Sequence, residues 1–90
     1  MQITSGTTPK IPLLMVAVSD DKTAVTGATV TVQISKNGGA FAGTTNPASE
    51  LSNGWYVVTL TALETGTAGP LIVRATATSA DEWRDYHQVV

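Results

Sequence analysis

Apolar and polar residues change places at every second position over long parts of this chain. Across residues 27–35, Ala28, Val30, Val32 and Ile34 alternate with Thr29, Thr31, Gln33 and Ser35. This period of two sets one face of a strand on a core and the other in water. Residues 71–78 repeat it, with Leu71, Val73, Ala75 and Ala77 against Ile72, Arg74, Thr76 and Thr78. Residues 55–61 set Tyr56, Val58 and Leu60 against Trp55, Val57, Thr59 and Thr61. Residues 13–19 are apolar on both alternating faces, as in a strand covered on two sides. A short return strand is predicted over 40–43 and a closing strand over 83–90.

Turn residues separate these runs. Asn37-Gly38-Gly39 and Asn53-Gly54 supply the positive φ that tight hairpins need. Asp20-Asp21-Lys22 reads as a solvated turn, and Pro47 breaks regular structure after Asn46. Residues 62–64 have room for a single helical turn before the Gly- and Pro-bearing stretch that ends at Pro70. Residues 1–9 are polar and without period, and read as an N-terminal arm. Six or seven short strands with turn signals every eight to twelve residues predict an all-β fold: an antiparallel Greek-key β-sandwich, one domain over 10–90. The reading requires Val30, Val32 and Ile34, and not Thr29, Thr31 and Gln33, to lie in the core.

Composition narrows the function classes. The 90 residues contain no Cys, which excludes a disulfide framework, a thiolate metal site and a cysteine nucleophile. Five basic against seven acidic residues give a net charge of −2, the wrong sign for neutralising phosphates, so no nucleic-acid partner is expected. Charged residues are only 13%, about half the usual quarter of a globular domain, so repulsion between copies or partners is weak. The apolar run 11–18 is interrupted by Pro12 and far shorter than the ~20 residues that cross a bilayer. It is read as a buried strand, not as a signal peptide or a membrane segment.

Two stretches carry a family resemblance. Residues 25–34 (VTGATVTVQI) and 54–60 (GWYVVTL) resemble paired strands of prealbumin-like and immunoglobulin-like sandwiches. The series SKNGGAF, NGWYVVTL and LIVRATAT is similar to small domains of tailed-bacteriophage virion proteins. That resemblance covers roughly residues 11–90 and implies location in the virion and a structural role. The leading expectation is a capsid decoration or cementing subunit bound to a major capsid or tail protein, as a homo-oligomer or within the assembly. The alternative is a tail, baseplate or fibre module that binds a host-surface glycan. Some prealbumin-like domains carry Lys–Asn isopeptide bonds, but the closing strand here offers no Asn for Lys10 or Lys22.

Candidate chemistry is sparse. His87 stands two residues from Asp85 on one strand face, but no elbow presents a nucleophile and the abundant threonines supply hydroxyls only by chance. Asp20, Asp21, Asp81, Glu82 and Asp85 are the acidic candidates for a calcium site, but Asp20-Asp21 and Asp81-Glu82 lie in separate turns and nothing has the spacing of a calcium loop. Asn37-Gly38-Gly39 precedes a strand and follows Lys36, unlike a phosphate loop. A non-enzymatic protein without cofactor or metal is expected. Trp55 is predicted to face away from the core, where it is either covered by the arm or a loop or marks a protein contact or a sugar platform. The expected partner-binding residues are Gln2, Ile3 and Thr4 of the arm together with Trp55.

Overall fold

Alternation becomes structure where each apolar face finds an opposing layer. A computed structural model of the chain describes residues 2–90. Its strands are β1 (Gln2–Ile3), β2 (Lys10–Leu14), β3 (Thr31–Lys36), β4 (Ala42–Gly43), β5 (Ser49–Ser52), β6 (Trp55–Thr59), β7 (Gly69–Thr76) and β8 (Trp83–Val89). One sheet has five strands in the order β1-β8-β7-β3-β4, the other three in the order β2-β6-β5. The fold is all-β with two sheets, compatible with a β-sandwich.

The core is the set that the alternation marks. Val30, Val32 and Ile34, Tyr56, Val58 and Leu60, and Leu71, Val73 and Ala75 are all buried, joined by Ile11, Leu13 and Met15. Thr29 and Thr31 are exposed and Gln33 is half-buried on the opposite face. Both predicted Asn-Gly turns form. Asn37 and Gly38 take φ of 48° and 81°, and Asn53 and Gly54 take 54° and 84°. At Gly54 the close approach matters as well: a Cβ there would stand 2.7 Å from the Met15 carbonyl oxygen. A single turn follows Thr61, closed at its start by a reciprocal cap. The Thr61 N–H donates to Glu64 Oε1 at 2.7 Å, and the Glu64 N–H donates to Thr61 Oγ1 at 3.3 Å.

Several expectations are corrected. The opening residues are not a free arm: β1 pairs in parallel with β8, Gln2 beside Gln88 and Ile3 beside Val89. Ile3 is 3% exposed and belongs to the core cluster, because its side chain drops between the sheets beside Val89. The first long strand is Lys10–Leu14 and not 13–19. After Leu14 the chain leaves the small sheet, and only single bridges form, Val16 to Ala24 and Ala17 to Ala80. This strand is also not covered on two sides, since Pro12 is exposed on its outer face. β3 begins at Thr31, not near residue 27, because the Ala28 N–H is taken by the Tyr56 hydroxyl at 3.1 Å and not by a neighbouring strand. Residues 49–52, where the alternation predicts no strand, form β5 against β6.

The sheet edges decide how this fold can meet other molecules. β1 and β4, the edges of the larger sheet, are two residues long. β2 carries Pro12, which has no N–H to offer, and β5 shifts register between Glu50 and Ser52. Short strands, proline and bulges all blunt an edge against strand addition. Contacts are therefore directed to the faces and loops.

Candidate functional site

The two outward faces differ sharply in chemistry. On the three-stranded sheet, Leu14 pairs with Trp55 and Pro12 with Val57 across β2 and β6, while Ser49 faces Val57 and Ser52 faces Trp55 across β5 and β6. Trp55 is 41% exposed, and Leu51 of β5 is also solvent-exposed. The centre of this face is thus apolar and uncharged, with Lys10 paired to Thr59 at its far end. No amide or charged side chain pairs directly with Trp55; its strand neighbours are Leu14 and Ser52.

The outer face of the five-stranded sheet is polar, with one apolar row. Ser35, Ile72 and Tyr86 align across β3, β7 and β8, and Gln33, Arg74 and Arg84 align beside them. Glu82, just before β8, receives a hydrogen bond from Arg74 Nε at 2.6 Å and another from Arg84 Nε. The two guanidinium groups, Arg74 first, hold the Glu82 carboxyl below the usual carboxylate range. A cleft of 330 Å³ opens here, lined by Phe41, Ile72, Arg74, Glu82 and Arg84. The sequence reading missed this cluster. Its only signal was Arg74 and Arg84 on the polar positions of two strands, and their meeting depends on a register that periodicity does not encode.

Of the expected partner-binding residues, Trp55 is exposed, as are Gln2 and Thr4 beside the β1 edge. Ile3 is corrected from partner contact to core residue. The structure does not bring the three together with Trp55, since β1 and β6 belong to different sheets.

His87 points inward and is 3% exposed, with Nε2 3.1 Å from Asp85 Oδ2. Neither ring nitrogen has a hydrogen-bond partner of good geometry. Burial pushes the His87 pKa down, and the nearby Asp85 carboxylate only partly opposes this. Among the described residues no hydroxyl is hydrogen-bonded to the ring. The acidic turns do meet at one end of the molecule: the Asp81 N–H donates to Val16 O at 2.9 Å, and contact with Asp21 raises the Asp81 pKa. Asp20 is held at about 2 by the hydroxyl and N–H of Thr23 and the N–H of Lys22. Among the described residues, no three His, Asp or Glu side chains are grouped to hold a metal ion. No helix of the described chain is long and apolar enough to cross a membrane.

Compared with protein families, curated proteins and solved structures, the chain matches none.

Proposed function

We propose that this protein is a non-enzymatic structural subunit of a tailed-phage virion, most simply a capsid decoration or cementing protein. In this reading the fold is a Greek-key sandwich of immunoglobulin-like or prealbumin-like kind, and its partner is a major capsid or tail protein. The observation that carries the proposal is the apolar, uncharged centre of the outer face of the three-stranded sheet, where Trp55 and Val57 of β6 meet Leu14 and Pro12 of β2. Low overall charge and blunted edges support face-to-face docking, in which an exposed aromatic residue and its apolar neighbours lose their water together. Docking on an assembled shell adds buried area that single shell subunits lack, and so stabilises the shell by mass action.

The test is co-sedimentation of the labelled protein with virus capsids and, separately, with isolated tails. Saturable binding to capsids that weakens at least about tenfold in Trp55→Ala supports the reading. Binding to neither particle, or capsid binding indifferent to Trp55→Ala, refutes it.

A further inference from the structure

The opposite face of the molecule holds an arrangement that capsid docking leaves unused. Arg74 of β7 and Arg84 of β8 stand directly across from one another in the antiparallel pair. Like charges in that position repel and destabilise a sheet. A single carboxylate, Glu82, compensates both, one oxygen to each Nε, and Gln33 Oε1 accepts from Arg74 Nη1 at 2.8 Å. Two cations and one anion leave one positive charge in excess. The grip is through Nε, so Arg74 Nη2 and both Nη groups of Arg84 have no acceptor among the described residues. Phe41 and Ile72, 45% and 39% exposed, form the apolar wall of the same cleft.

We propose that this cleft binds an acidic sugar, a pyranose bearing a carboxylate. Its anion meets the unpaired Nη groups of Arg84 and Arg74, and its apolar ring face lies on Phe41. A guanidinium offers parallel N–H donors in the geometry of a planar carboxylate, which a lysine does not. The Nε anchors to Glu82 fix both forks before the ligand arrives, so little side-chain freedom is lost on binding. A volume of 330 Å³ is at the small end of ligand clefts and suits one or two sugar rings. An acidic peptide fits less well, because extended peptides gain affinity by adding to a sheet edge and every edge here is blunted. The proposal is independent of the capsid reading, which uses the other sheet.

The experiment is a backbone-amide NMR titration of the full chain. The probes are glucuronate and a tetrasaccharide alternating glucuronate with N-acetylglucosamine, then glucose 6-sulfate, the neutral N-acetylglucosamine tetramer and a poly-glutamate peptide. The expected result is saturable shifts at Phe41, Ile72, Arg74 and Arg84 with both glucuronate probes, and none with the neutral tetramer. Arg84→Ala is expected to weaken binding about tenfold or more. Its thermal midpoint should not move, since the Arg84 side chain is 78% exposed. Arg84→Lys, which keeps the charge and loses the fork, should recover only part of the affinity. The proposal is overturned by equal affinity for the neutral tetramer, by undiminished binding in Arg84→Ala, or by saturable shifts around Trp55 only. Tighter binding of the sulfate ester or of poly-glutamate than of glucuronate also overturns it, as does a titration in which no acidic sugar saturates.

Discussion

Tyr56 is the residue at which one oxygen atom should matter most. Its ring lies in the core at 1% exposure, but its hydroxyl reaches the irregular segment before β3. There it donates to Val25 O at 2.9 Å and accepts from the Ala28 N–H at 3.1 Å. Tyr56→Phe keeps the ring and its packing and deletes only this link. Each hydrogen bond is worth about 0.5–1.5 kcal/mol net, and a carbonyl and an N–H are left unpaired in a partly buried place, so the loss is about 2 kcal/mol. For a domain of this size each kcal/mol lowers Tm by roughly 4–8 °C, which places the variant roughly 10 °C below the parent. Thermal and urea unfolding measure the loss, the latter as a lower midpoint at unchanged m. Hydrogen exchange at the Ala28 amide should accelerate. A Tm shift under about 2 °C would refute the pinning argument. So would a large shift with Ala28 exchange unchanged, because the destabilisation would then arise elsewhere.

Two further outcomes follow from burial and charge. Ile3→Ala empties a core position and should cost about 2–5 kcal/mol in urea unfolding. A loss below about 1 kcal/mol would mean that β1 contributes little to the fold and is free to act as an arm. Acidification from neutral pH should destabilise the protein first through His87. Its folded pKa is depressed by burial, so between that value and about 6.5 the unfolded chain binds more protons and stability rises with pH. Glu82 and Asp20, both held low, add a second loss as the pH falls through their folded values, while Asp81, held high, works in the opposite direction. Urea midpoints against pH should fall through the histidine range in the parent and stay flat there in His87→Gln. A parent profile that is flat or that rises on acidification would contradict the assignment.

The parts of this fold that were legible from sequence are those decided within a few residues. Alternation over Val30–Ile34 and Tyr56–Leu60 reports burial on one face, and the Asn-Gly pairs at 37–38 and 53–54 report positive φ, both local requirements. β1 was illegible because its single apolar residue, Ile3, becomes core only through β8 at the other end of the chain. β5 was illegible because Ser49–Ser52 are all exposed, and only pairing with β6 makes them a strand. The start of β3 was misplaced because an apolar pattern cannot announce that a tyrosine hydroxyl will take the Ala28 N–H. Trp55 could be read as outward-facing from its own strand, whereas the Arg74–Arg84 pair needs the register between two strands. Sites built from one strand are readable in the sequence; sites built across strands require the pairing.

The placement of β8 between β7 and β1 has a consequence for synthesis. A ribosome delivers Gln2 and Ile3 ahead of every other strand of this fold, and the segment they must lie against after all of them. Until Val89 has emerged, the larger sheet lacks both its penultimate strand and any template for its first. Half-made chains therefore hold the apolar edge of β7 open to solvent, the condition in which nascent proteins stick to one another or recruit holding chaperones. The larger sheet is completed only once β8 has emerged, and Gln2 and Ile3 are among the last of its residues to settle.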